Sequence, residues 1–393
     1  MRIAVVNSFF PPRAGGSAHL SEALARLCAE QGHEVLVITA DYGDAPLDER
    51  HGNLRIVRIP CFAPKSRLAF NYDIPITLSF RNRRRLHKLL NEFAPDVVHQ
   101  HGQFFDLTWM SSTWARRNRV PIVLSVHTRL ISPRPLHRLV LAAGDFSLVR
   151  FKVRRSHAWV VPVDNPTHTY VRRRYGIDES RIVDIPVGVE PDRFRDGDAK
   201  RVRKEWGLEN RPILLSVGHV IPLRDRLALV EAMPQMLQSI PDLAVVVVGN
   251  VYDDRFIQRA KELGVDHALI VTGAVTKNLI PDFAAAADVE SHDLQGLGFG
   301  TASLEMLAAG VPVVTDAPAD SYPTTRLVDG EHVIRVRSQD PVDVADAFVR
   351  VLRDPGLRDR VGLQGQGLVR STFSMEAVAE QFLSLYERAA AQE

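Results

Sequence analysis

"MRIAVVNSFFPPRAGGSAHLSEALARLCAEQGHEVLVIT", residues 1–39, holds a strand-like run, a glycine-bearing turn, a helical pattern and a second strand-like run. Ile3, Ala4, Val5 and Val6 follow one another with no polar interruption, as strands buried on both faces do. Leu20, Ala23, Leu24 and Leu27 fall on one helical stripe, which Gly32 ends before the next strand. A strand, a helix and a further buried strand in this order predict a parallel sheet covered by helices.

The same alternation runs through the chain. "LRIVRIP", "DVVHQHG", "PIVLSVH", "AWVVPVD" and "RIVDIPVG" punctuate the first half, and "PILLSVG", "LAVVVVG", "ALIVTG", "ADVESHD", "VPVVTD" and "HVIRVR" the second. At 393 residues the chain exceeds one ordinary core, so the expectation is an α/β protein of two doubly wound, Rossmann-like domains. The first spans 1–190 and the second 191–372, the change falling in the Gly-, Pro- and charge-rich "PVGVEPDRFRDGDAK". Residues 373–393 read as a terminal helix. Ser374 is its N-cap, and Val378, Phe382, Leu385 and Tyr386 form an apolar face that packs back on the first domain.

Bulk properties narrow the function. Hydrophobic residues at 45% and charged residues at 24% are the balance of a soluble globular protein. A net charge of +2 gives no field for nucleic acid. Cys28 and Cys61 show neither metal-ligand nor disulfide spacing, no signal peptide opens the chain, and no apolar run approaches bilayer length. A cytoplasmic location is expected.

Three glycine-bearing turns sit after strand-like runs, where open α/β sheets bind ligands. Gly15 and Gly16 precede the first helix, Gly218 follows "LLSV", and Gly296, Gly298 and Gly300 precede a helix carrying Glu305. Glycine admits close backbone approach and a helix N-terminus offers free N–H groups, so phosphate is the natural guest. The dinucleotide pattern G-x-G-x-x-G after the first strand and the Walker pattern are both absent, which demotes hydride transfer and ATP hydrolysis.

Taken in order, the opening block, "PDVVHQHG", "PIVLSVHT", "IPVGVEPDRF", "LLSVGHVIPLRDRLALVEAM", "AVVVVG", "LIVTGAV" and "GFGTASLEMLAAGVPVV" resemble a family 4 retaining glycosyltransferase of the GT-B type. The resemblance covers nearly the whole chain. It implies two domains facing a cleft and transfer of a sugar from a nucleotide-diphosphate sugar to a hydroxyl acceptor, a small molecule or lipid-linked glycan. A UDP-sugar is favoured over a GDP-sugar, with no metal or other cofactor required.

The resemblance also implies site roles. Gly15, Gly16, His219, Arg224, Gly300 and Thr301 would hold the donor diphosphate, with His219 standing where the family usually has Arg and Arg224 where it has Lys. Glu305 matches the second acid of the E-x7-E pair and would read the ribose hydroxyls, while backbone at Gly249, Gly273 and Val275 would hold the base. His127, Gly298, Phe299 and Gly300 would contact the donor sugar, His127 and Glu305 being also counted as catalytic. The first acid of the pair is replaced by Leu297, so Asp293, with Gln295 as its competitor, is the candidate substitute. That replacement keeps two other readings open: a nucleotide-sugar epimerase-like enzyme on this fold, or an inactive sugar-nucleotide-binding protein.

Two stretches have plainer readings beside sharper ones. Asp196 and Asp198 in "DGD" mimic a D-x-D metal motif but lie in a charged linker and read as solvated. Residues 79–93, "SFRNRRRLHKLLNEF", form a basic helix with Leu86, Leu89, Leu90 and Phe93 on one side. This helix is the candidate for peripheral contact with the inner face of the plasma membrane, set against an ordinary solvated face.

Overall fold

A computed structural model describes residues 1–13, 16–62, 75–130, 135–291, 294–296 and 298–392. Gly15, Asp293 and Leu297 fall outside them. The chain forms two compact units: Met1–Val187 together with the chain from Val378 on, and Gly188–Ala377. The first break lies just before the expected 190/191, in the same Gly- and Pro-rich stretch.

The first unit is built on seven strands: β1 (Arg2–Asn7), β2 (Glu34–Asp41), β3 (Asp48–His51), β4 (Leu54–Pro60), β5 (Val97–His101), β6 (Ile122–Val126) and β7 (Trp159–Pro162). Their order is β3-β4-β2-β1-β5-β6-β7, parallel except for the antiparallel edge strand β3. β1 pairs with β2 on one side and β5 on the other, so the chain order reverses there and the carboxyl ends of β1 and β5 form the switch point. Helices α1 (Gly16–Glu30), α2 (Phe80–Phe93), α3 (Asp106–Asn118), α4 (Pro135–Gly144) and α5 (Arg150–Ser156) connect the strands, and α6 (Asn165–Tyr170) follows β7. Ala4, Val6, Leu36, Val98, Leu107 and Val160 are among the residues of its core.

In the second unit β8 (Ile213–Val217), β9 (Ala244–Val248), β10 (Leu269–Gly273) and β11 (Val289–Glu290) make a parallel sheet of order β10-β9-β8-β11. β12 (Val314–Thr315) and β13 (Ile334–Arg335) pair with each other. Its helices are α7 (Ala199–Glu205), α8 (Leu227–Ser239), α9 (Arg255–Glu262), α10 (Ile280–Ala286), α11 (Thr301–Ala308), α12 (Pro341–Arg353) and α13 (Pro355–Leu368). α14 (Met375–Ala391) follows, capped by the Ser374 hydroxyl, which accepts from Ala377 N at 3.2 Å. From Val378 on it belongs to the first unit, where Val378, Phe382, Leu385 and Tyr386 are buried.

Two expectations need correction. "RIVDIPVG" is β-branched but forms no strand: Ile182 makes an isolated bridge to Val160, and Pro186, lacking an N–H, cannot donate to a ladder. The stripe of α2 offered for membrane contact is not available to lipid. Leu86, Leu89 and Leu90 are buried and Phe93 packs on the same core, so the outward face carries Arg81, Arg84 and Lys88. Asp198 of the "DGD" stretch caps α7, accepting from Lys200 and Arg201 N–H, and Asp196 is exposed.

A buried polar contact ties α14 to the first sheet, Tyr386 Oη to His99 Nδ1 at 2.6 Å, with both residues fully buried. Tyr386→Phe leaves that nitrogen without its partner in a dry site, so we expect a loss of about 1–3 kcal/mol. The urea unfolding midpoint measures it; an unchanged midpoint would show that the contact contributes nothing.

Candidate functional site

Residues expected to hold the sugar donor gather at the carboxyl edge of the second sheet. At the ends of β8 and β9, Gly218 and Gly249 take φ of +135° and +145°, values that side chains rarely allow. A Cβ on Gly249 would stand 2.3 Å from the Gly218 carbonyl oxygen, which is backbone and cannot step aside. Gly218 N donates to Val248 O at 2.8 Å and Gly249 N to Gly273 O at 2.9 Å, so three strand ends are joined by backbone alone. Val220 N then donates to Asn250 O and Tyr252 N to Val220 O, both at 2.9 Å, which carries the pairing into the loops. This edge is lined by peptide groups, as close approach of a nucleotide requires.

The loop after β8 turns tightly, Arg224 N donating to Ile221 O at 2.8 Å, and leaves the Arg224 side chain exposed. His219 Nδ1 accepts from Asn250 N at 3.3 Å, and its ring meets Tyr252 edge-on at 5.9 Å. Partial burial and the Arg224 guanidinium both lower its pKa, so at neutral pH it offers hydrogen bonding without charge. The positive charge on this loop therefore rests with Arg224 and with a residue the sequence reading passed over. Arg226 is 2% exposed, and its guanidinium donates to Ser216 Oγ at 2.7 Å, Arg224 O at 3.0 Å and Asp225 O at 3.2 Å. Three charges in "LRDRL" just before an apolar helix were the available signal.

Asp225 is also buried. It accepts from Leu227 N at 3.1 Å and from Gln295 Nε2 at 2.9 Å, with Arg255 3.5 Å away. Gln295 therefore fastens its loop to the β8 loop. Gly296, at φ +65°, donates to Asp316 Oδ2 at 2.7 Å, and Phe299 O accepts from Tyr322 Oη at 2.9 Å. These bonds aim the chain into α11, where Gly300 is the N-cap and Thr301 the first residue, so the helix N-terminus opens on the glycine loop. Glu305 sits half-buried one turn on. Beside it Ser303 Oγ donates to the fully buried Glu290 at 3.0 Å, an acid inside a strand-like run that also went unremarked in the sequence. Gly273 ends β10, and Gly249, Val275, His219, Arg224, Gly298, Phe299, Gly300, Thr301 and Glu305 follow β8–β11, all in one unit. Gly16, the first residue of α1, and His127 belong to the other.

In that first unit the switch point is lined by imidazoles. His99 and His101 lie within β5, both buried, while His127 follows β6 and is half-buried. Beyond its bond to Tyr386, His99 reaches Ser125 Oγ through Nε2 at 2.8 Å. His101 Nδ1 stands 2.9 Å from His127 Nε2, the two rings parallel within 4°. His101 Nε2 is buried with no partner among the described residues. A bare acceptor is the cheaper orphan, which assigns the proton to His101 Nδ1, donating to His127. The His127 proton then sits on Nδ1, the nitrogen outside the pair. Burial draws His127 down to about 4; burial, with His127 beside it, draws His99 to about 3, and His101 also lies well below the ordinary value.

These histidines are neutral when folded and protonate first when unfolded. Stability should therefore fall as pH drops below about 6.5, by up to about 1.4 kcal/mol per pH unit for each imidazole. Urea titrations at stepped pH measure the slope, and His101→Gln should reduce it by about one proton. An identical slope in the variant would mean that the array does not titrate as described.

Two family models match the chain, "Glycosyltransferase Family 4" over residues 14–193 and "Glycosyl transferases group 1" over residues 198–367. It is 31% identical over 326 residues to D-inositol 3-phosphate glycosyltransferase of Nocardioides sp., covering 76% of this chain and 68% of that relative. It is 26% identical over 383 residues to GDP-mannose-dependent alpha-(1-6)-phosphatidylinositol monomannoside mannosyltransferase of Mycolicibacterium smegmatis, covering 92% of each. Anabaena Alr3699/HepE, solved with UDP and glucose, superposes with a TM-score of 0.76 at 16% identity, covering 99% of this chain and 100% of that one. The chain belongs to glycosyltransferase family 4: it is a glycosyltransferase of the two-unit GT-B class.

Proposed function

We propose that the chain moves a sugar from a nucleoside-diphosphate sugar to a hydroxyl of a polyol or glycolipid acceptor, with retention of anomeric configuration. The observation that carries this reading is the side-chain-free edge at Gly218 and Gly249 beside Arg224 and the N-terminus of α11. Departure of the diphosphate builds negative charge, which a guanidinium and fixed N–H groups neutralise with no metal. Glu305 accepts hydrogen bonds from the ribose hydroxyls. His127, protonated on Nδ1, donates to a sugar hydroxyl. The departing phosphate takes the acceptor's proton. The Nocardioides and Mycolicibacterium relatives, named for inositol 3-phosphate and a phosphatidylinositol mannoside, support an inositol-bearing acceptor. The mannosyltransferase's use of GDP-mannose supports testing a GDP-sugar beside the UDP-sugar.

Leu297, where the family pattern has an acid, favours a second reading in which the donor binds without transfer. Incubation of the purified chain with UDP- and GDP-sugars and inositol acceptors separates the two, since only transfer releases nucleotide and yields product. Glu305→Ala removes two charge-assisted hydrogen bonds of about 1.5–3 kcal/mol each, so kcat/KM should fall at least about a hundredfold while the melting temperature holds. Arg224→Ala should raise the donor KM, and chelation by EDTA should leave turnover intact. Unchanged kinetics in Glu305→Ala would remove the assignment.

A further inference from the structure

In the first unit, α4, the π turn Asp145–Val149 and α5 run on as one helical stretch. Among its described residues Asp145, Val149, Val153 and Ser156 are buried, a single narrow seam. Asp145 anchors that seam, accepting from Tyr170 Oη at 2.6 Å, Tyr175 Oη at 2.7 Å and Arg174 Nε at 3.0 Å. Leu136, Leu139, Val140, Phe146, Leu148 and Phe151 are 48–69% exposed. Six of the fifteen exposed large apolar side chains among the described residues therefore fall within one short segment. Isolated exposed leucines are ordinary on a protein surface, but a contiguous group of this kind marks a contact surface.

Charge identifies the partner. Arg138, Arg154 and Arg155 are exposed and Arg150 and Lys152 half-buried, with Arg150 over the Phe146 ring at 4.8 Å and Arg155 over the Phe151 ring at 5.7 Å. Asp145 is the sole acid between residues 135 and 157, and it is buried. Apolar side chains flanked by cations, with no accessible acid, suit a helix lying in the headgroup region of an anionic bilayer. The apolar stripe of α2, by contrast, is buried in the core. We propose that residues 136–155 form a docking surface for an anionic lipid bilayer. This goes beyond the transferase reading and does not depend on it.

Co-sedimentation of the full chain with phosphatidylcholine vesicles, alone or mixed with phosphatidylglycerol, tests the proposal. Binding should require the anionic lipid and weaken as salt is raised. Leu139→Ser with Phe146→Ser, and separately Arg154→Glu with Arg155→Glu, should each reduce it at least about tenfold, with melting temperature unchanged because all four side chains are exposed. Arg360→Glu, exposed on α13 of the other unit, should leave it unaltered. The proposal is overturned if anionic vesicles are not bound, if the paired variants bind as the natural chain does, or if Arg360→Glu weakens binding equally. It is also overturned if sedimentation velocity shows the patch covered by a second copy of the chain, with self-association lost in the serine variant.

Discussion

The second unit depends on one close approach: the backbone of Gly249 passes so near the Gly218 carbonyl that no side chain fits between them. That contact joins the ends of β8 and β9, and Gly249 N extends the join to Gly273. Because the strands are parallel, the loops leaving them all emerge at the same edge, carrying His219, Arg224, Tyr252 and the glycine run before α11. A ligand meeting this edge meets peptide groups first and charge second. Arg226, Asp225 and Gln295 hold the loops beneath it, so the exposed Arg224 is presented on a fastened support.

The first unit arranges its switch point differently. Its strand ends carry buried side chains, and three neighbouring imidazoles, His101 parallel to His127 and tilted to His99, stay neutral because burial penalises the charged ring. Neutrality makes direction matter. Each ring has one donor and one acceptor, so fixing His101 by its unpartnered nitrogen fixes His127 as well. Tyr386 brings the terminal helix into the same network through His99.

Much of this was legible in the sequence, for a physical reason. Strands covered on both faces must be apolar throughout, so "RIAVVN" and "AVVVV" read as strands wherever they stand. The face of α14 was legible because its stripe has a helical period. The stripe of α2 has the same period, yet periodicity alone does not say whether a helix faces a core or a lipid surface. Residues 136–155 raise the same question, and only coordinates reveal that Leu136, Leu139, Val140, Phe146, Leu148 and Phe151 are uncovered. Residues that resembled a motif were named from it, whereas Arg226, Asp225 and Glu290 match none and were missed. Their roles come from burial and from partners distant in sequence, which spacing does not encode.

Hydrogen–deuterium exchange with and without UDP and GDP tests the central claim most directly, because the claim concerns backbone groups. The account predicts ligand-dependent protection at residues 218–226, 249–252 and 298–305, with the helices remote from the carboxyl edge of that sheet unaffected. Protection absent from all three segments at saturating nucleotide, or confined to other parts of the chain, would contradict it.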